Sequence, residues 1–239
     1  MASYSSLFQP LQLGDITIQN RIGMSALTRN RARNTVPSEL MAEYYVQRTL
    51  GGAGLIVTEG TLVTRQGTEW SHAPGIWNSE QTEAWKKIVD ALSPSGGYND
   101  VGMPLQETLD TYRYFISEAD KLNLSYITLV RYIAHADVEI DGKKRGIQHD
   151  VLESYRPYIK NAKTFLNANV TAEEADSLIG AGKIDGAVIG FNWITHPDFA
   201  KRVLHGKALD NIPDIPHLQG GKGDNDWAVG YTDYPVAVY

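Results

Sequence analysis

The 239-residue sequence predicts an α/β fold, an open sheet of five parallel strands with helices outside it. Two observations carry that expectation. Apolar runs rich in β-branched residues recur along the chain, and helical patterns with their own start and stop signals separate them. Strands that alternate with helices form βα units, and such units lay successive strands parallel.

The first strand is expected at Asn20 to Thr28 (NRIGMSALT) and the second at Gly54 to Val63 (GLIVTEGTLV). Between them Ser38 to Leu50 reads as a helix. Pro37 precedes it, Leu40/Tyr44 and Met41/Tyr45 pair at i,i+4, and Gly51-Gly52 stops it. A second helix begins at Asn78 with Gln81 three residues on, a capping-box pattern. Trp85, Ile88, Val89 and Leu92 form its apolar stripe. Ser93 to Asn99 (SPSGGYN) is a loop. Pro104 to Leu122 returns to helix, with Leu105, Leu109, Tyr112, Ile116 and Ala119 on one side.

The third strand is Tyr126 to Val130. Residues 137 to 148 are charged and read as a surface loop, and Asp150 to Ala162 as helix. Strand Thr164 to Ala168 leads into a helix capped by Thr171 with Glu174 at N3. Strand Asp185 to Gly190 leads into a helix expected to be capped by Thr195, with Pro197 at its start and Gly206 after its end. Past Asn211 the chain is rich in Pro and Gly and reads as an irregular tail. Five strands are too few for a closed (β/α)8 barrel, which needs eight and typically about 250 residues or more.

Composition narrows the function classes. With 42% hydrophobic and 21% charged residues the chain is an ordinary globular protein. A net charge of −6 argues against nucleic-acid or anionic-membrane partners, which want a basic patch. No run approaches the roughly 18 apolar residues of a membrane span. The segment Met1 to Ser6 has no basic or apolar region of a secretory signal. Cysteine is absent, which removes disulfides and thiolate chemistry and fits a reducing, cytoplasmic compartment. Six scattered histidines without ligand spacing predict no metal site.

Three segments resemble the old yellow enzyme family. Leu7-Phe8-Gln9-Pro10-Leu11, then Leu13-Gly14 and Asn20 to Arg29, is similar to the family's opening. Thr58-Glu59-Gly60 with Ala73-Pro74-Gly75-Ile76-Trp77 resembles its second strand and following loop. Gly230-Tyr231-Thr232-Asp233-Tyr234-Pro235 resembles its C-terminal GYxDYP element. The resemblance implies a (β/α)8 barrel that holds FMN over the C-terminal strand ends and reduces activated alkenes with NADPH. On that template the chain is a single truncated domain, 1–239. Residues 1–92 stand for strands one and two, 93–210 for strands six to eight, and 211–239 for the tail. Leu92-Ser93 marks the jump. The family's HxxN or HxxH pair, its proton-donating tyrosine, and a flavin-contacting glutamine and arginine fall in the missing stretch.

The resemblance places Ala26, Leu27, Thr28, Gly60, Asn169 and Gly190 at the cofactor, should FMN be retained as a family remnant. The family's phosphate-binding arginine falls at Phe191. A phosphate needs donors and positive charge, so the expectation is that no cofactor is held. The surviving strands would lie in the order six, seven, eight, one, two. Their bare inner face and two unpaired edges predict a homodimer.

Candidate catalytic residues are Tyr231, by its place in the family element, and His135 and Asp137, which follow strand Tyr126 to Val130. Imidazole titrates near neutrality and suits proton transfer. Candidate substrate-binding residues are Thr28, Tyr98, Asn99, His72, Trp70 and Arg131. The function expected is a redox-neutral isomerase, epimerase or cyclase acting on a small apolar carbonyl compound. His135 or Asp137 would serve as base and Tyr231 as acid. Two other readings stand beside it, an FMN-dependent NADPH oxidoreductase and a non-catalytic pseudoenzyme or binding subunit.

Overall fold

The computed structural model describes residues 4–67, 70–86, 88, 104–134, 137, 139–140, 143–144, 146–220 and 227–239. Its contacts group the chain into two compact units. One comprises Met1–Ala2, Gly23–Ser93 and Gly190–Tyr239, and the other Ser3–Ile22 and Pro94–Ile189.

Strands β1 (Leu11–Leu13) and β2 (Ile16–Ile18) form an antiparallel hairpin that the sequence reading did not separate out. Strand β3 (Ile22–Met24) is followed by helix α1 (Glu39–Leu50), strand β4 (Leu55–Ile56) and helix α2 (Ser79–Lys86). Helix α3 (Leu105–Asp120) leads to strand β5 (Tyr126–Val130), then to a small hairpin, β6 (Glu139–Ile140) and β7 (Lys143–Lys144). Helix α4 (Val151–Tyr155) passes into a 3₁₀ turn at Arg156–Tyr158. Strand β8 (Lys163–Asn167), helix α5 (Ala172–Gly180), strand β9 (Gly186–Ile189) and helices α6 (Phe191–Thr195) and α7 (Phe199–His205) complete the chain.

The five-stranded sheet runs β4-β3-β9-β8-β5. Strands β3 and β4, β5 and β8, and β8 and β9 pair parallel. Read from the other end this is six, seven, eight, one, two, the order expected from the resemblance. Buried Ala187, Val188 and Ile189 of β9 and Phe165 and Leu166 of β8 give the sheet its apolar core. In β9, Gly186 admits the Phe165 ring, since a Cβ there would stand 2.5 Å from Phe165 Cε1.

Several expected elements change on folding. The first two strands are shorter than the apolar runs. Beyond Val57, whose N–H still reaches Met24 O at 2.9 Å, residues up to 61 leave the sheet, and Leu62 pairs with Pro74 and Ile76 instead. Helix α1 starts where expected, with Ser38 Oγ accepting from Met41 N at 3.3 Å. In α2, Asn78 Oδ1 caps Gln81 N at 2.9 Å, whereas Gln81 Oε1 accepts from Trp77 N rather than closing a capping box. The expected stripe residues Val89 and Leu92, the loop 93–99 and the junction at 92–93 lie outside the described residues.

The charged stretch 137 to 148, expected as a plain loop, contains the β6–β7 hairpin. The expected helix from Asp150 to Ala162 stops at Tyr155 before tightening at Pro157, whose ring nitrogen has no hydrogen to donate. Thr171 caps α5 as predicted, accepting from Glu174 N at 3.2 Å. Thr195 does not cap the last helix, because it ends α6 and bonds His196. Asp198 precedes α7, but its carboxylate accepts from Arg202 Nε, Ala237 N and the Tyr239 hydroxyl instead. Gly206 closes α7 with φ 61°, the left-handed conformation expected of its C-cap. The irregular tail is thus anchored through its own backbone.

Asp120 at the end of α3 performs a comparable task. It accepts from Lys160 N at 2.9 Å, Asn161 N at 3.0 Å and Ala162 N at 2.9 Å. Burial raises its pKa, but the N–H groups of Ala162, Lys160 and Asn161 outweigh that and hold it below the usual carboxylate range. Asp120→Ala leaves those three donors unpaired and should cost roughly 1–3 kcal/mol. A lower urea midpoint with an unchanged slope checks this.

Candidate functional site

Within the unit formed by Gly23–Ser93 and Gly190–Tyr239, the residues after β3, β4 and β9 create an open shelf. Ala26 and Gly60 are exposed, and Leu27, Thr28 and Gly190 are half-buried. A Cβ on Gly60 would stand 3.7 Å from Thr28 Oγ1, and one on Gly190 3.5 Å from Leu27 Cδ2. Five of the six residues expected at a cofactor therefore come together here. Phe191 follows Gly190, opens α6 and is 51% exposed. Among the described residues the shelf is made of small and apolar groups, with the Thr28 hydroxyl beside Gly60 and Ser25 beside Gly190.

Behind it lies a buried cluster. The rings of Tyr44 and Tyr231 stack at 4.2 Å and 7°. Arg48 lies over Tyr44 at 3.6 Å, while Arg29 and Arg31 stand 5.2 and 5.1 Å from the Tyr231 ring. These are cation–π distances. Each of the three guanidinium groups donates to backbone carbonyls, and Arg29 Nη1 also donates to the Tyr44 hydroxyl. Arg29 Nε donates to Leu218 O and Nη2 to Gly230 O, and Arg48 Nε donates to Trp193 O and Nη2 to Ile194 O. Arg31 Nη2 donates to His217 O and Val229 O. Burial lowers the pKa of Arg48, and burial together with Arg29 lowers that of Arg31.

Glu59, which the sequence reading noted only as part of a motif, is 2% exposed. Its Oε2 accepts from Arg29 N at 3.3 Å and Asn30 N at 3.4 Å. The Tyr45 hydroxyl donates to Oε1 at 3.5 Å and accepts from Glu59 N at 3.1 Å. Burial pushes its carboxyl up to about 7, although the two N–H groups and the Arg29 charge pull the other way. Its only sequence signal was a carboxylate between Thr58 and Gly60 in an apolar run.

The predicted catalytic and substrate-binding residues are placed unevenly. Tyr231 is fully buried in the cluster, and its hydroxyl has no hydrogen-bond partner among the described residues. Burial raises its pKa well above the ordinary phenol value. His72 is held by its backbone, its N–H donating to Asn30 Oδ1 at 2.8 Å, and its ring meets Trp227 edge-on at 4.9 Å. Trp70 belongs to the same turn, its carbonyl accepting from Ala73 N at 3.2 Å.

In the unit formed by Ser3–Ile22 and Pro94–Ile189, Asp137 accepts from the Tyr132 hydroxyl at 2.8 Å and from Gly146 N at 3.0 Å. Arg131 is gripped by both oxygens of Glu174, at 3.0 and 2.7 Å. Asn169 follows β8 with φ 51°, next to Ala168 at φ 74°. His135, Tyr98 and Asn99 lie outside the described residues. Among the described residues there is no cluster of ligands for a metal ion and no helix long and apolar enough to cross a membrane.

Two substitutions separate structure from chemistry in the cluster. Tyr231→Phe removes a hydroxyl without a described partner, so stability should stay within about 1 kcal/mol of wild type. A thermal melt checks it. Glu59 has its folded pKa raised above its unfolded value of 4.5, to about 7. Its contribution is therefore full below 4.5 and falls as pH rises towards about 7, by roughly 3 kcal/mol. Glu59→Gln should flatten that slope in urea titrations run across this range.

Comparisons with known proteins bear on the same residues. Residues 6–106 match the NADH:flavin oxidoreductase / NADH oxidase family. The chain is 47% identical over 91 residues to "12-oxophytodienoate reductase 7" of Oryza sativa subsp. japonica, which is 38% of this chain and 23% of that protein. It is 40% identical over 95 residues to "Chanoclavine-I aldehyde reductase fgaOx3" of Penicillium roqueforti, 39% of this chain and 26% of that protein. It is also 40% identical over 97 residues to "Probable inactive reductase easA" of Epichloe festucae var. lolii, 40% of this chain and 26% of that protein. Each match spans only about a quarter of these relatives' length.

The fold match is wider. The old yellow enzyme of Trypanosoma cruzi superimposes with TM-score 0.74 at 20% identity, covering 98% of this chain and 100% of that one. Morphinone reductase does so with TM-score 0.73 at 19% identity, covering 99% and 98%. Residues 6–106 are thus similar in sequence to that flavin oxidoreductase family, and the fold, five parallel strands with outer helices, is an incomplete (β/α)8 barrel like that of the old yellow enzymes.

Proposed function

We propose that this chain receives a small, apolar, carbonyl-containing molecule on the shelf of Ala26, Leu27, Thr28, Gly60 and Gly190, and acts on it without net reduction. The observation that carries the reading is Phe191. On the resemblance, the cation that would meet a flavin phosphate falls at this position, and an exposed phenyl ring stands there instead. In the other unit Arg131, just after β5, is paired with both oxygens of Glu174. A dianionic phosphate wants free donors and uncompensated positive charge. The residues present do not fit FMN. The same phenyl ring suits an apolar ligand, and the Thr28 hydroxyl can donate to its carbonyl.

The reaction class that follows is isomerisation, epimerisation or cyclisation. Cyclisation is favoured among these, because it asks for orientation in an apolar site more than for acid and base groups. Two of the groups nominated for proton transfer, Asp137 and Tyr231, are committed elsewhere. Asp137 holds Tyr132 and Gly146, and Tyr231 has no exposed surface. That same commitment favours a second reading, a non-catalytic binding protein. The relatives, reductases with one probable inactive reductase among them, support a third, an FMN-dependent oxidoreductase.

The purified chain is incubated with a cyclic enone in D₂O without nicotinamide and followed by NMR. Binding with α-proton exchange or skeletal change is the expected result, and Phe191→Asp should weaken binding about tenfold, the effect of one lost apolar anchor of about 1.4 kcal/mol. Binding without change selects the non-catalytic reading. No binding, or turnover that needs NADPH, overturns the proposal.

A further inference from the structure

His196 joins α6 to α7 and is 2% exposed. Its two ring nitrogens have different partners. Nε2 accepts from the backbone N–H of Asn211 at 3.1 Å. Nδ1 stands 2.8 Å from Thr195 Oγ1 and 3.2 Å from Asn192 O. An imidazole that accepts at one nitrogen is neutral and carries its proton on the other. Nδ1–H therefore points at those two oxygens. The bond to Asn211 fastens a strap, since residues 207–210 are exposed and lie in no helix or strand. Lys207 N donates to Arg202 O at 2.8 Å, and Arg202 Nη1 donates to Ala208 O at 2.6 Å and to Asp210 Oδ1 at 3.0 Å. Asn211 Nδ2 donates to Thr195 O at 2.6 Å and to Pro235 O at 2.9 Å. Strap, α6 and tail thus meet at Asn211. Farther along, Arg31 and Arg29 hold the carbonyls of His217 and Leu218.

We propose that His196 is an acid-released latch on the strap 207–212. A proton taken up at Nε2 turns an acceptor into a donor, and two N–H groups then face each other across 3.1 Å. A buried pair of that kind opens. The charged groups facing the ring are Arg202 of α7, Asp198 just before it and Asp210 of the strap. Both carboxylates are already paired with Arg202. Burial and the Arg202 charge hold the imidazole below its ordinary value of 6.5, although Asn192 O and the two carboxylates pull the other way. With the folded value below the unfolded one, the latch contributes fully above about 6.5 and is lost as pH falls through the folded value. The opening stays local. Asp198 keeps the end of the tail, accepting from Ala237 N at 2.7 Å and the Tyr239 hydroxyl at 2.6 Å. Burial raises its pKa, but the Tyr239 hydroxyl, Ala237 N–H and Arg202 outweigh that and hold it below the usual carboxylate range. At the far end of the strap, Arg29 and Arg31 have no proton to gain. His217 there faces Asp214 Oδ2 at 2.8 Å, so a proton on it tightens the contact. Acid frees one end of the strap and leaves the other. Every residue used belongs to one unit of the chain, and the inference does not depend on what the shelf binds.

Amide hydrogen exchange of the full chain, followed by NMR and corrected for the intrinsic rate, tests the latch. Between about pH 7.5 and about pH 5 the Asn211 amide should lose protection about tenfold or more, while the amides of β8 keep theirs. His196→Gln places an acceptor near the Nε2 position that takes up no proton in this range, so its Asn211 amide should stay protected throughout. Nitrogen-15 shifts of the imidazole give a readout that needs no variant. At about pH 7.5 the proton should be on Nδ1 and absent from Nε2, and the ring's titration should share one midpoint with the loss of Asn211 protection. An Asn211 amide still protected in acid overturns the proposal. So does the same acid release in His196→Gln, a proton on Nε2 at neutral pH, or two separate midpoints.

Discussion

Everything in the unit that carries the shelf depends on three buried guanidinium groups around one pair of stacked rings. Tyr44 comes from α1 and Tyr231 from the tail, and Arg29, Arg31 and Arg48 surround them. Each arginine spends donors on backbone carbonyls from segments that have no regular ladder of their own, at 193–194, 217–218 and 229–231. Irregular backbone cannot be buried without partners for its carbonyls. The guanidinium fork, with five donors in a plane, supplies several at once. The aromatic faces lower the cost of keeping the charge out of water. That arrangement explains why a tail rich in Pro and Gly is nevertheless fixed.

The same economy explains why several residues nominated for chemistry are found holding the fold. Tyr231 lies in the stack, Arg131 in a two-pronged ion pair, and Asp137 at the base of the turn carrying the small hairpin. Glu59 anchors the N–H groups of Arg29 and Asn30, and Asn30 in turn holds His72 N and Gly220 O. What is left open at the strand ends is the shelf of small residues beside the exposed Phe191. Perturbed titration and chemistry need not coincide: Glu59 titrates near neutrality because it is buried, not because it is poised at a reacting atom.

Much of the fold was legible in the residues. The five strands, the start of α1 at Ser38, the Thr171 cap and the Gly206 stop follow from β-branched runs and local helix signals, which act over a few residues, whereas the strand order followed from the family resemblance. Strand lengths were overestimated, since an apolar run does not record where Leu62 turns away to pair with Pro74. Thr195 was misread because a good capping residue stood before Pro197, while the Asp198 carboxylate is taken up by Ala237 N and the Tyr239 hydroxyl, 39 and 41 residues further along, a separation no local pattern encodes. The family resemblance had named the residues that stand together on the shelf, among them Thr28 beside Gly60 and Leu27 beside Gly190. The arginine–tyrosine cluster behind it was missed, because its members are spread from Arg29 to Tyr231 and share no spacing.

The central claim is that this shortened barrel has surrendered the anion site on which a flavin depends and kept an apolar floor. The visible absorbance spectrum of the protein as purified, before any ligand is added, tests it most directly. The account predicts a colourless protein with no flavin bands, which gains none after incubation with FMN and desalting. A yellow protein carrying flavin in proportion to chain would contradict it.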